Sequence, residues 1–209
     1  MGGGQISKDQ MIYNGNPKNR VELDWLCGGS FPGWKEGFNY LEQINVKLIV
    51  TLTIEPIKIG RNINHQPIAY DNTEWCDSDL EEQDLSKFNI VHIPIADGGV
   101  PTAENLDRLL SVVKNFRKTY PTSKVYFHCW LGRGRTCTIL MYLLMYFNNM
   151  TYDDAYDMIK KQYSLIKLTP VQVKFLNNVP LTDDEIIQSQ PIIKTPDDNW
   201  CYDYLKQKI

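Results

Sequence analysis

Short apolar runs alternate with amphipathic stretches along the chain, a pattern typical of a sheet covered by helices. Three runs rich in β-branched and aromatic residues predict buried strands: VKLIVTL at residues 46–52, IVHIPI at 90–95 and VYFHC at 125–129. A further strand is predicted around residues 25–27, before the turn-rich GGSFPG at 28–33, and a helix from 35 to about 44. We therefore expect one α/β domain with a mostly parallel central sheet flanked by helices on both faces.

The second half of the chain predicts four helices. Apolar residues recur at helical spacing after Thr102 and predict an amphipathic crossover helix: Leu106, Leu109, Leu110, Val113 and Phe116. Residues 134–147 are apolar almost all round but too short to span a bilayer, which indicates a helix buried in the core. Capping-box spacing predicts two more helices, which begin after Thr151 and Thr169.

The remaining segments lack sustained periodicity. Residues 55–79 are long, polar and contain proline, so we expect a surface loop there. We interpret residues 1–20 as a flexible N-terminal extension, residues 21–180 as the folded domain and residues 181–209 as a C-terminal tail. The aromatic residues near the end of that tail could dock onto the domain or onto a partner.

Composition, charge and cysteine spacing indicate the domain size, the kinds of partner and the cellular compartment to expect. The 209 residues are 43% hydrophobic, enough for one domain with a substantial core. A formal net charge of -3, with both signs mixed, predicts no general attraction to nucleic acid or to an anionic membrane. The five cysteines are widely spaced, without CxxC pairs, which favours a reducing compartment over a disulfide framework or a zinc ribbon. We expect a cytoplasmic protein, with the nucleus as an alternative.

Membrane attachment has little support in the sequence. No stretch approaches the roughly 18 apolar residues that a spanning helix needs, so no membrane span is expected. Gly2 follows the initiator Met, but Ile6 stands where the myristoylation pattern has Ser or Thr. The sequence therefore supports N-terminal lipidation only weakly, and it leaves the oligomeric state open.

The segment with the most candidate catalytic and binding residues is HCWLGRGRT at residues 128–136. It joins the third predicted strand to the apolar helix. Its glycines allow a tight loop whose N–H groups point inward, and the helix N-terminus adds a positive end, so the loop can hold a tetrahedral dianion. The same dipoles favour a nucleophilic thiolate at Cys129. Arg135 can bind two oxygens of the anion bidentately. The predicted substrate-binding residues are Trp130, Leu131, Gly132, Arg133, Gly134 and Arg135.

This segment matches the pattern HCxxGxxR(S/T) and so resembles the protein tyrosine and dual-specificity phosphatases. The sequence PIADGG at residues 94–99 is similar to atypical members such as the cyclin-dependent-kinase-associated phosphatase group. The resemblance covers roughly residues 25–179. It implies the cysteine phosphatase fold, a phosphocysteine intermediate on Cys129, a phosphorylated protein substrate, and no metal or other cofactor.

The family also uses an Asp on a separate loop to protonate the leaving oxygen, and Asp97 is the candidate. It follows a predicted strand and precedes the crossover helix, so the sheet topology can bring it next to Cys129. The alternative is an ordinary Asp-Gly turn. Other candidate acids lie in the long polar loop: Asp71, Asp77 and Asp79.

Four further residues have predicted supporting roles. Thr136 would donate its hydroxyl to the departing thiolate, or simply open the helix. His128 would orient the loop, or be an ordinary satisfied core residue. Gln172 resembles a late family segment that packs near the catalytic loop, although a capping box explains it equally well. Cys137 replaces the Gly of many relatives and is a candidate disulfide partner of Cys129 after oxidation.

Two alternatives to a protein phosphatase remain. The same chemistry could act on a phosphoinositide, an inositol phosphate or an RNA 5′-phosphate, with Arg133, Lys58 and Arg61 as extra contacts. Tensin-type lipid phosphatases have Lys where this chain has Trp130, which weakens that hypothesis. The other alternative is a non-catalytic phosphopeptide-binding module, against which the joint presence of Cys, Arg and Asp argues.

Overall fold

A computed structural model of the chain describes residues 20–32, 35–54, 60–61, 67–68 and 86–190. The strands within those residues are β1 (Arg20–Glu22), β2 (Leu26–Ser30), β3 (Val46–Thr51), β4 (Gly60–Arg61), β5 (Pro67–Ile68), β6 (Asn89–His92) and β7 (Lys124–Cys129). The helices are α1 (Lys35–Gln43), α2 (Ala103–Thr119), α3 (Arg135–Asn148), α4 (Tyr152–Gln162), α5 (Pro170–Leu176) and α6 (Asp183–Ser189).

Five of these strands form one sheet in the order β1-β2-β7-β3-β6. Strands β2, β7, β3 and β6 are parallel, and β1 pairs with β2 in the antiparallel sense at one edge. Strand β7 lies at the centre and is almost wholly buried, which explains why its sequence is apolar on both faces. Its last residue, Cys129, pairs with Ser30 at the end of β2. The carboxyl ends of the parallel strands therefore share one edge.

Helices cover both faces of the sheet. On one face, α1 contributes Phe38 and Leu41 to a small core with Ile49 and Tyr126. On the other, α2 and α3 pack on a larger core that includes Val50 and Phe127. Neighbouring residues of β3 and β7 point to opposite faces, as the period of a strand requires. The predicted α/β fold with a mostly parallel sheet and two helical layers is confirmed.

The element predictions hold with small shifts of boundary. The predicted crossover helix is α2, and the apolar helix is α3, with nine of its residues buried. Thr151 caps α4, and Thr169 forms a capping box with Gln172 at α5.

The prediction that GGSFPG begins as a turn was wrong, because Gly28 to Ser30 complete β2. A Cβ atom at Gly28 would lie 2.8 Å from the Phe127 carbonyl oxygen and 2.9 Å from Cγ2 of Thr136. Glycine there serves close packing of α3 on the sheet rather than a bend.

The chain after Pro180 also differs from the expected tail, because it contains α6. Thr182 and Glu185 form a capping box at its start, and Glu185 pairs with Lys174 of α5 at 2.7 Å. The spacing of Thr182 and Glu185 was a visible signal for a helix. The domain boundaries at residues 20 and 180 stay predictions.

Several sequence-based predictions lie outside the described residues. These are N-terminal lipidation, the aromatic C-terminal end, the extra cation Lys58 and the alternative acids Asp71, Asp77 and Asp79. Within the predicted loop at 55–79, the described backbone forms the short antiparallel pair β4–β5. Among the helices described, none has the length and apolar character that crossing a membrane requires.

Candidate active site

Cys129 ends β7, and residues 129–135, here called the Cys129 loop, lead from it into α3. The cysteine is 4% exposed. Gly132 has φ +72°, and a Cβ atom on it would lie 2.3 Å from the carbonyl carbon of Gly29. The loop therefore turns tightly against the end of β2, in a conformation and a space that only glycine fits.

Arg135 begins α3 and is only 5% exposed. One of its guanidinium nitrogens donates to the Ile95 carbonyl at 3.0 Å, and another lies 3.0 Å from Oδ1 of Asp97. The structure thus brings together two site residues predicted from separate segments. Asp97 lies beyond the end of β6, so the shared edge of the parallel strands produces this contact.

The Asp97 side chain is 92% exposed, but the backbone of its loop, residues 96–99, is well held. The Gly99 amide donates to the Ala96 carbonyl at 2.9 Å and closes a turn. The Thr169 hydroxyl donates to the Gly98 carbonyl at 2.7 Å, and the Gln172 side-chain amide donates to the Gly99 carbonyl at 3.0 Å. The capping box of α5 therefore also supports the Asp97 loop.

Gln172 belongs to the predicted capping box, and its side chain also reaches the Asp97 loop. It is fully buried, its Oε1 accepts from the Thr169 amide at 3.0 Å, and its other end contacts the Asp97 loop. Thr169 was predicted only as a helix cap, and its contact with Gly98 was missed. The two residues are 71 positions apart in the chain, so no local signal reports that contact.

His128 is fully buried behind the nucleophile candidate. Its Nε2 lies 3.0 Å from the hydroxyl of Thr51, and its ring lies 5.3 Å from that of Phe31. Burial lowers the pKa of His128 to about 3, because a charged imidazolium loses its hydration there. A neutral His128 can fix the end of β7 but is not suited to carry a proton near neutral pH.

Thr136 and Cys137 lie on the first turn of α3. The Thr136 hydroxyl donates to the Gly29 carbonyl at 3.3 Å, so it must turn away from that partner to reach Cys129. The Cys137 thiol is buried, donates to the Gly132 carbonyl at 3.2 Å, and has its pKa raised by burial. A raised pKa disfavours Cys137 as an attacking thiolate, and a disulfide with Cys129 stays a prediction.

The residues between Cys129 and Arg135 differ from one another in solvent exposure. Trp130 and Leu131 are 38% and 37% exposed, whereas Arg133 is half-buried. The sequence groups these three residues with Gly132, Gly134 and Arg135 as substrate-binding, and that role stays a prediction. Of the two extra cations considered, Lys58 lies outside the described residues, and only the backbone of Arg61 is described.

Two protein relatives share part of this chain. Human cyclin-dependent kinase inhibitor 3 is 39% identical over 62 residues, which are 28% of this chain and 26% of the relative. Rat phosphatidylglycerophosphatase and protein-tyrosine phosphatase 1 is 29% identical over 103 residues, 49% of each chain. The chain thus spans about half or less of the length of these relatives.

A solved structure shares the fold. PTPMT1 in complex with PI(5)P superimposes with a TM-score of 0.59 and 20% identity, over 77% of this chain and 93% of that one. Residues 43–179, more than half of the chain, match the family model described as the dual specificity phosphatase catalytic domain. With a cysteine loop, an arginine and an aspartate gathered at one edge of this fold, the chain belongs to the dual specificity phosphatase family.

Proposed function

We propose that this protein hydrolyses phosphomonoesters through a phosphocysteine intermediate on Cys129, with phosphotyrosine in proteins as the main substrate and phosphoserine or phosphothreonine as further ones. The observation that carries the proposal is the contact between Arg135 and Asp97. It unites the cysteine loop and a separate carboxylate at one site, so an anion holder, a nucleophile and an acid are within reach of one substrate.

Each proposed role follows from a position. Cys129 attacks phosphorus as the thiolate, while Arg135 and the loop amides hold the phosphoryl oxygens. The P–O bond to the leaving group breaks, and Asp97 gives its proton to the departing oxygen. Water then attacks the phosphocysteine and loses its proton to Asp97. The sulfur leaves as thiolate, which the Thr136 hydroxyl stabilises.

The exposure of Asp97 supports this order of events. A carboxyl group that is 92% exposed can meet the leaving oxygen of a substrate that arrives from solvent. Arg135 holds it at 3.0 Å, on the side of the Cys129 loop. A substrate phosphoryl group would compete for the same guanidinium, so binding would release the carboxyl for proton transfer.

The proposal of a protein substrate rests on the similarity to human cyclin-dependent kinase inhibitor 3 and on two exposed apolar residues of the Cys129 loop. Trp130 and Leu131 present apolar surface beside the cysteine, suited to the aromatic ring of phosphotyrosine. A phosphorylated protein is thus the proposed partner, and the cytoplasm, with the nucleus as an alternative, is the proposed location.

A lipid substrate is the second candidate. The rat relative is named for phosphatidylglycerophosphatase as well as protein-tyrosine phosphatase activity, and the PTPMT1 structure was solved with PI(5)P. Arg133 supplies a second positive charge within the loop, which a polyanionic head group would use. The non-catalytic alternative has no such support, since Cys129, Arg135 and Asp97 are all present.

A turnover panel tests the proposal. Purified protein is assayed with phosphotyrosine, phosphoserine and phosphothreonine peptides, phosphatidylglycerophosphate, phosphoinositides, inositol phosphates and 5′-triphosphorylated RNA, each with EDTA present. We expect the highest kcat/KM with phosphotyrosine peptides. A preference of about tenfold or more for a lipid or RNA would overturn the protein assignment, and binding without turnover of any substrate would indicate the binding module.

A further inference from the structure

The carbonyl groups of the Cys129 loop have partners outside the loop at four successive residues. The Phe31 amide donates to the Trp130 carbonyl at 3.3 Å, and the Lys167 amide donates to the Arg133 carbonyl at 3.0 Å. The two carbonyls between them accept from side chains. The Tyr163 hydroxyl donates to Leu131 at 3.0 Å, and the Cys137 thiol donates to Gly132 at 3.2 Å.

The geometry of the peptide group links the direction of each bonded carbonyl to the direction of the next N–H. In a planar trans peptide, the carbonyl of one residue and the N–H of the next point in opposite directions. A carbonyl held by a partner outside the loop therefore turns the following N–H away from that partner. For the bonds from Tyr163 and Cys137, the N–H groups so directed belong to Gly132 and Arg133. These are two of the amides that must face an anion bound above Cys129.

We propose that Tyr163 and Cys137 are positioning residues of the Cys129 loop, which aim the Gly132 and Arg133 amides at the bound phosphoryl group by holding the preceding carbonyls. This inference rests on the proposed function, because it assumes that the loop binds an anion. It goes further in assigning a role to two side chains that lie outside the signature pattern.

Tyr163 is built to hold its position. It caps the end of α4, its backbone N–H donates to the Ile159 carbonyl at 2.8 Å, and its side chain is 4% exposed within the main core. Because Tyr163 is buried and Leu131 is exposed, the hydrogen bond between them is partly shielded from water. Burial raises the pKa of the Tyr163 phenol, and the positive side chain of Arg133 opposes that rise. A phenol with a raised pKa keeps its proton and so stays a donor to the Leu131 carbonyl at neutral pH.

Cys137 donates to the carbonyl of Gly132, the residue after Leu131. Its side chain is fully buried on the first turn of α3, one position beyond Thr136. A residue with no side chain, such as the Gly of many relatives, cannot make this contact. A thiol is a weak donor, so we expect a smaller contribution from Cys137 than from Tyr163.

Two variants remove the bonds with little change in shape. Tyr163→Phe deletes only the hydroxyl, and Cys137→Ala deletes the thiol, whereas Cys137→Ser keeps a donor at the same place. The chain offers matched controls. Tyr40 donates its hydroxyl to Glu22 at 3.2 Å, and the buried Cys27 thiol donates to the Val125 carbonyl at 3.2 Å, both away from the loop.

The measurement is tungstate binding by isothermal titration calorimetry, with tungstate as a phosphate analogue that needs no knowledge of the substrate. We expect Tyr163→Phe to weaken binding about tenfold and Cys137→Ala about threefold, as for loss of orientation rather than of a donor itself. Cys137→Ser should return to within about twofold of wild type. The controls Tyr40→Phe and Cys27→Ala should bind as the wild type does, although each also loses a hydrogen bond and some thermal stability.

The outcomes separate this inference from the proposed function. A variant that loses thermal stability like its control, but binds tungstate normally, has only a structural side chain, and the positioning role of that residue is refuted. Failure of Cys137→Ser to recover binding would refute the hydrogen bond as the cause. Failure of the wild-type protein to bind tungstate would instead overturn the anion site and the proposed function with it.

Discussion

The Cys129 loop and the Asp97 loop meet at one edge of the sheet, but they are held in opposite ways. The Cys129 loop lies between a central strand and a buried helix, and its residues Cys129 and Arg135 are almost inaccessible to solvent. The Asp97 loop leaves its carboxylate exposed and is supported from behind, through Gly98 and Gly99, by the capping box of α5. An anion site gains from rigid dipoles that need no reorganisation, whereas a proton donor has to meet leaving groups of varied shape. Each loop therefore fits its proposed role.

The largest expected effect is on the nucleophile. Cys129→Ser should lower turnover by about 10⁴-fold or more, because a serine hydroxyl stays protonated where a thiolate is required. Tungstate or phosphopeptide binding should survive through Arg135. Steady-state turnover and calorimetric binding of the same preparation check this, and turnover like that of wild type would refute the phosphocysteine mechanism.

Gly132 in the Cys129 loop and Gly98 in the Asp97 loop have the same φ of +72°. Replacing each by alanine tests how tightly the two loops are packed. Gly132→Ala should destabilise the protein by about 4 kcal/mol or more, because its Cβ would lie 2.3 Å from backbone. Gly98→Ala should cost only about 1–2 kcal/mol, the usual penalty of left-handed backbone, since its Cβ would meet Thr169 at an ordinary 3.4 Å. Urea unfolding measures both free energies. Equal losses would contradict the contrast.

Asp97→Asn separates a proton donor from a turn residue. Turnover of phosphotyrosine should fall by about 100-fold, within the range expected for loss of a general acid. An aryl phosphate with a very acidic leaving phenol should lose far less, because its leaving group needs little protonation. The ratio of the two kcat values is the readout. If both substrates slow equally, the defect lies in binding or folding, and if neither slows, Asp97 only forms a turn.

Support of the Asp97 loop from behind can be tested at Gln172. Gln172→Met keeps the approximate size but removes the bonds to Gly99 and Thr169, so the acid should be misplaced and phosphotyrosine turnover should fall about tenfold. The same dependence on the leaving group is expected as for Asp97→Asn. A loss of equal size for both aryl substrates would show that Gln172 does not act through Asp97.

The smallest effect concerns stability and pH at His128. With a native pKa of about 3 and an unfolded value of about 6.5, the unfolded chain binds one more proton between these values. The stabilisation is therefore complete above about pH 6.5 and is lost as the pH falls towards 3. From pH 7.5 to 5.5, wild type should lose about 1.4 kcal/mol more than His128→Asn in urea unfolding. Parallel losses would show that His128 titrates normally.

Local patterns were sufficient for most elements and for the centre of the site. A strand, a glycine-containing turn and a helix start are adjacent in the sequence, so residues 128–136 could be recognised as a unit. Asp97 could be proposed because the family resemblance implies an acid on a separate loop, and its position after a predicted parallel strand fits that implication. The capping residues Thr151 and Thr169 were also correct, because caps act over three residues. The spacing of Thr182 and Glu185 was equally visible but was not interpreted as a helix.

The sequence by itself thus determined the features that depend on residues close together in the chain. These are the α/β class, the cysteine loop and the residues at which helices begin. Only the tertiary structure decided that Gly28 packs under α3, that Thr169 and Gln172 hold the Asp97 loop, and that Tyr163 contacts Leu131. These contacts join residues 32 or more positions apart. A Tyr at a helix end or a Thr at a cap has the same local pattern whatever it meets across the fold, because chain packing chooses its partner.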